Sequence, residues 1–383
     1  MRSKMRPALF ALLLPLTPLL LTACSDSFPD EEMHLGLEDK IRPYAITLEP
    51  PEASPGETVQ VTLHAHVPPG KSVDIHWQVA LDYDNGLYEA DEIERQVLPV
   101  GQNAQSAYSG TMLRQWFTWT VPDSVARVSS AVPDVLTDPV LVALAQLVVG
   151  PDAGDPPTRA GVETWLASRD PSVPLSPEEE ALVDRFSCAV RFRATMETRD
   201  RAVDVTRNLT VRHSRRLGST QVNTNNTENS RLVVALEKAD ARSADLEDPA
   251  VVAHEYPLVP AQPPVPQTIP FHPDWTYFLV ESFALQDYNA PFEPGLVVSE
   301  ELEGRWYYYR HDDPAAPEAF LRNDEGEEPE MWELDYPIIL APAGPDTRYF
   351  LVSVMRDLRR DWVQYFLTPG ASVYPSEIQF VTP

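Results

Sequence analysis

The chain has 383 residues, 43% of them hydrophobic, which is more than one compact core of ordinary size requires and points to two domains. Its 58 acidic residues outnumber 30 basic ones, for a formal charge of -28, and such a surface repels nucleic-acid backbones and anionic headgroups. Nucleic acid is therefore excluded as a partner, while cationic partners and divalent ions are compatible.

Arg2, Lys4 and Arg6 form a basic head, followed by an apolar run from Pro7 to Leu21. Crossing a bilayer takes ~20 apolar residues, and this run is shorter and broken by Pro15 and Pro18. It has the layout of a secretory signal peptide. Leu21-Thr22-Ala23-Cys24 at its end resembles the lipobox of bacterial lipoproteins. The resemblance implies cleavage after residue 23, a lipid on Cys24 as the membrane partner, and a place in the cell envelope. Ser25, where some Gram-negative bacteria read Asp as an inner-membrane signal, tilts the expectation toward the outer membrane. With Cys24 acylated, Cys188 has no partner for a disulfide. Residues 24–42 are acidic and polar and read as a flexible tether.

Globular pattern begins at Pro43. Val59, Val61, Leu63, Ala65 and Val67 alternate with polar residues, then the turn Pro68-Pro69-Gly70 leads to Val73, Ile75, Trp77, Val79 and Leu81 in the same rhythm. Period two marks strands with one buried face. Cys188 to Met196 and Val203 to Val211 form a matching late hairpin, and Gln115 to Val121 reads as a further strand. The early pair, with its Pro-Gly-Glu entry turn and Trp77, resembles strands B and C of immunoglobulin-like modules of bacterial surface proteins, and the late hairpin suits strands F and G. That resemblance implies a β-sandwich over 43–217.

Between the two halves the period lengthens. Asp138-Pro139 opens a helix with Val140, Leu141, Leu144, Leu147 and Val148 on one face, stopped at Gly150. A second helix fits Ala160 to Ser168, and Ser176-Pro177 with Glu179 forms a capping box for a third, to about Phe186. Residues 123–186 are thus expected as a helical insertion packed on the first sandwich. Residues 218–230, rich in Asn, are either an interdomain linker or a long loop, and are taken as the linker.

Residues 231–383 repeat the outline. An edge strand is expected at Arg231 to Leu236, a proline-rich extended stretch at Pro257 to Pro273, and strands at Tyr277 to Leu285 and at Arg305 to Tyr309, the latter in the place of the Trp77 strand. A last hairpin is expected from Tyr349–Met355 and Trp362–Leu367. The fold class expected is mainly β, two immunoglobulin-like β-sandwiches, the first with a helical insertion.

Three sites merit weighing. His64 and His66 share a strand face, and His76 on the next strand would complete a zinc set if both strands lay in one sheet. In a sandwich those strands belong to opposite sheets, and all three histidines are expected on the solvent side. Tyr307 and Tyr309 could present an exposed aromatic face to a glycan or peptide. Asp82-Tyr83-Asp84-Asn85-Gly86 resembles the start of a calcium loop with its glycine one position early, and Asp324 to Glu328 is a second acidic run. His254-Glu255 lacks the second histidine of a zincin, and no nucleophile elbow or phosphate loop is present. The expectation is a non-catalytic envelope or surface interaction module without cofactor. The alternatives are a glycan- or peptide-binding protein and, last, a metal-dependent hydrolase.

Overall fold

A computed structural model describes residues 41–84, 93–125, 132–170, 173–186, 188–211, 223–259, 265–289, 297–300, 302–310, 321–322, 332–333, 337–357 and 370–383. The signal peptide, Cys24, the tether up to residue 40, Asn85, Gly86, the acidic run Asp324 to Glu328 and the stretch Trp362–Leu367 lie outside these residues. Ile41 and Arg42, expected in the tether, are buried, and Arg42 opens the first strand.

The first domain runs through β1 (Arg42–Glu49), β2 (Glu52–Ala53), β3 (Thr58–His66), β4 (Asp74–Asp84), β5 (Ile93–Val100), β6 (Gln105–Ser109) and β7 (Met112–Thr120), and closes with β8 (Cys188–Glu197) and β9 (Ala202–Val211). One sheet has the order β1-β3-β7-β6 and the other β2-β9-β8-β4-β5, with β2 parallel to β9. With β3 as strand B and β4 as strand C, these are the orders ABED and GFCC′, the second edged by a short strand beside G. The first domain is an immunoglobulin-like sandwich. Its core follows from alternation: Val59, Val61, Leu63 and Ala65 of one sheet meet Trp77, Val79, Val190, Phe192 and Val205 of the other. The Trp77 indole sits edge-on to Phe117 and donates to Gln115 Oε1 at 2.7 Å, so its one polar atom is satisfied inside the core. Gly101, with φ of +70°, turns the chain from β5 to β6, where a Cβ would stand 3.1 Å from Trp77 and 3.2 Å from Phe117.

Between β7 and β8 come α1 (Pro139–Val148), α2 (Arg159–Ser168) and α3 (Pro177–Phe186). The capping signals act as read: Asp138 Oδ1 accepts from Val140 and Leu141 amides, and Ser176 and Glu179 exchange backbone-to-side-chain bonds. The helices enclose their own core, including Val132, Leu141, Ala145, Val162, Leu166 and Leu182, rather than sharing that of the sandwich. At Gly161 a Cβ would fall 2.5 Å from the Ala153 carbonyl oxygen, so α2 approaches the turn after α1 more closely than any side chain permits. The apolar face of α1 is turned from the expected one: Leu141 and Ala145 are buried, whereas Val140 and Leu147 are exposed.

The second domain comprises β10 (Glu228–Leu236), β11 (Ala253–Pro257), β12 (Gln267–Pro270), β13 (Thr276–Phe283), β14 (Asp287–Asn289), β15 (Val297–Ser299), β16 (Leu302–Arg310), β17 (Leu321–Arg322), β18 (Trp332–Glu333), β19 (Ile338–Leu340), β20 (Arg348–Asp357) and β21 (Ala371–Val381). Its sheets are β11-β10-β13-β19-β17 and β12-β21-β20-β16-β18, with β12 parallel to β21 as β2 is to β9. The central strands follow the first domain's plan, with β11 added outside β10, a β14-β15 ribbon inserted between β13 and β16, and the short edge strands β17 and β18 in the reverse chain order of their counterparts β6 and β5. Trp306 on β16 occupies the position of Trp77 and donates to Glu281 Oε2 at 2.7 Å. Three expectations need correction. β10 is flanked on both sides, so it is no edge strand, and it starts within the span assigned to the linker. The partner of β20 is β21 and not the stretch Trp362–Leu367; the polar and apolar residues of β21 alternate irregularly around Pro375, so it carries no clear period-two pattern.

Candidate functional site

The two sheet faces expected to carry ligands cover each other. On the first domain the outer face of β1, β3 and β7 presents Arg42, Tyr44, Ala45, His64, His66, Met112 and Arg114, placed by a register that pairs His66 with Arg42 and Met112, and His64 with Ala45 and Arg114. On the second domain the outer face of β16, β20 and β21 presents Arg305, Tyr307, Phe350, Val352, Val354 and Val373. Tyr44, Met112, Tyr307, Phe350, Val352 and Val354 form one buried apolar cluster across the domain boundary. The Tyr44 and Tyr307 rings lie 4.7 Å apart, centroid to centroid.

Tyr307 is only 5% exposed, so the expected aromatic platform is not a free surface. The side chain of Tyr309 lies outside the described ones. His64 and His66, expected on the solvent side, are 6% and 1% exposed because the second domain lies over their face. Burial, with Arg114 nearby, holds His64 down to about 3, and burial, with Arg42 nearby, holds His66 down to about 4. Both rings are therefore neutral at physiological pH. His76 lies on β4 in the opposite sheet, exposed and 3.6 Å from Glu197, so the three histidines are not brought together. Among the described residues no group of three or more His, Cys, Asp or Glu side chains is placed to hold a metal.

Tyr44 was missed from sequence for a definite reason. It shares parity with Ile46 and Leu48, which enter the sandwich core, and simple alternation sends it there too. The register of β1 against β3 shifts between Pro43 and Ala45, and this bulge turns Tyr44 to the outer face. A signal for the covered face did exist in β20, where Tyr349-Phe350-Leu351-Val352 is apolar at both parities, as in a strand buried on both sides.

The Asn-rich connection is built as a joint. The Asn223 amide donates to Glu52 Oε1 at 2.8 Å, and Asn225 Nδ2 donates to the Leu48 carbonyl at 2.7 Å and to Glu49 Oε2 at 2.6 Å, all in the first domain. Toward the second domain, Asn225 Oδ1 accepts from the Ala371 amide at 2.8 Å, and Asn226 Nδ2 donates to the Ala284 carbonyl at 2.8 Å. Asn225 suits this work because its side-chain amide carries both donor and acceptor, whereas Asn223 donates from its backbone. Residues 223–226 thus clamp the two sandwiches.

Cys188 faces the core, where burial pushes its thiol up to about 12, as expected of an unreactive cysteine. At the far end of the second domain a cleft of about 500 Å³ is lined by Asp240, Arg242, Phe271, His272 and Trp275. Trp275 stacks against His272 at 3.8 Å and His254 at 4.8 Å, so its ring is engaged within the protein.

No family model and no curated protein matches the chain. Among solved structures, a chimeric titin Z1Z2 functionalized with an exogenous decorin peptide aligns at 10% identity over 90% of this chain and 100% of that one, with a TM-score of 0.16. The three N-terminal domains of the bacteriophage RB49 highly immunogenic outer capsid protein align at 7% identity over 90% and 100%, with a TM-score of 0.15. Strand order, not these scores, decides the class. Both domains are immunoglobulin-like. Fold of this kind does not specify function.

Proposed function

We propose that this is a lipid-anchored envelope protein in which the paired sandwiches act as a non-catalytic interaction and structural module, held near a membrane by Cys24. The reading is carried by Leu21-Thr22-Ala23-Cys24 behind a basic head and apolar run. Support comes from the placement of β1, which starts at Arg42, so the acidic segment between Cys24 and the first sandwich is short enough to keep the body close to its anchor. Seventeen residues fully extended span at most ~60 Å. The clamped joint supports the structural half of the reading, since a module that presents a surface at a fixed height needs its two domains held in one arrangement.

The outer membrane of a Gram-negative bacterium is the compartment favoured by Ser25. Metabolic labelling with palmitate tests the anchor directly: incorporation into the wild type and none into Cys24→Ala, with the variant leaving the membrane fraction, is the expected result. No label in the wild type, or unchanged fractionation of the variant, overturns it.

A further inference from the structure

The helical unit carries a feature the joint does not use. α1 reads Pro-Val-Leu-Val-Ala-Leu-Ala-Gln-Leu-Val, with Gln146 its single polar side chain. A helix apolar all round is normally covered all round. Here Leu141, Ala145 and Val149 face inward, while Leu147 is 69% exposed and Val140 45% exposed, with Leu144 half-buried between them. Positions 140, 144 and 147 follow the i, i+4, i+7 spacing of one helical stripe, ~10 Å long. The covered half of α1, and one side of Leu144, are accounted for by its own unit, whereas Val140 and Leu147 stay exposed among the described residues.

The charge of the helical unit as a whole selects among partners. Residues 123–186 carry eleven acidic and four basic side chains. Arg159 and Arg169 are neutralised by Asp134 and Glu179, at 2.6 Å and 2.8 Å, and Arg185 is buried. An apolar stripe on a unit of net negative charge disfavours a second copy of this acidic chain and an anionic lipid surface, since both meet like charge. It favours a segment apolar on one face and cationic on the other.

We propose that the exposed stripe of α1 docks a cationic amphipathic helix of a partner protein, Val140, Leu144 and Leu147 meeting its apolar face and the acidic surface of the helical unit meeting its Lys and Arg side chains. This deepens the interaction reading above by naming the surface and the chemistry of the partner, and does not depend on lipid attachment. Helix-on-helix recognition of this kind reads i, i+3, i+4 and i+7 anchors.

The test uses residues 24–383 with Cys24→Ala, so that the lipid plays no part, and an 18-residue Leu/Lys helix with Leu at amphipathic spacing, followed by fluorescence anisotropy at physiological salt. Controls are the same composition in scrambled order and a Leu/Glu helix of identical pattern. The amphipathic Leu/Lys helix is expected to bind about tenfold or more tighter than either control, and Val140→Ser/Leu147→Ser to remove about tenfold of that affinity. Both changes lie at exposed positions; unchanged circular dichroism, and a matching loss in Leu147→Gln alone, separate docking from unfolding. Equal binding of the ordered and scrambled peptides, or indifference to the serine variant, overturns the proposal. So does a concentration-dependent dimer of the free protein that the serine variant abolishes, because a second copy then occupies the stripe.

Discussion

Mild acid should loosen the two sandwiches, and the effect is to trace to two histidines. His64 and His66 are held neutral in the closed interface, at about 3 and about 4, against an ordinary value of 6.5. Both native values are depressed, so as pH falls below 6.5 the opened or unfolded chain takes up protons that the native interface refuses. Stability is thus full above 6.5 and falls with pH until each native value is reached. Each pH unit costs about 1.4 kcal/mol per group, so at pH 5 each histidine withdraws about 2 kcal/mol and the pair about 4 kcal/mol relative to pH 7.5. The groups on their own sheet reinforce the refusal, since Arg114 beside His64 and Arg42 beside His66 are cations.

Urea denaturation at pH 7.5 and pH 5.0 measures this loss, with His64→Gln/His66→Gln as the comparison because glutamine is polar and does not titrate. Ordinary surface carboxylates titrate in both proteins and cancel in the difference. The wild type should lose about 4 kcal/mol more than the variant between the two pH values. If both lose the same amount, the histidines are not buried neutral in the seam and the arrangement of the domains is wrong.

The apolar seam should be separable from the folds it joins. Tyr307→Ala removes the ring against Tyr44 and, at about 3 kcal/mol for a buried aromatic, should split a shared calorimetric transition into two and enlarge the radius of gyration by X-ray scattering, while Trp306 fluorescence stays native. A single unchanged transition would mean that the tyrosines do not fasten the domains. Cys188, with its thiol pushed up to about 12 by burial, should resist thiol reagents in the native protein at pH 8 and react fully in urea. Fast labelling of the native chain would show that β8 does not face the core.

Local interactions were legible because they are decided within a few residues. Asp138-Pro139 and Ser176-Pro177 with Glu179 set helix starts through bonds to amides two or three positions on. The alternation around Trp77, and again around Cys188, assigned one buried face to each strand, and the sandwich topology follows once those faces must meet. Where the two faces of a strand had to be assigned to solvent or protein, the reading failed. His64, His66 and Tyr307 occupy outward positions, as alternation says, but outward is not exposed when a second domain lies there.

The sequence alone determined the strand periods, the helix caps, the repeated Trp-bearing plan and the lipobox-like start, each a matter of spacing along the chain. Only the tertiary structure decided that two outer faces become one interior, that a bulge at Pro43 to Ala45 turns Tyr44 into it, and that asparagines of a polar stretch become a clamp. The reason is physical. Period and capping depend on neighbours a few residues apart, whereas burial of an outer face depends on what arrives from more than two hundred residues away, and a polar side chain in a connection looks the same in sequence whether it meets water or another domain.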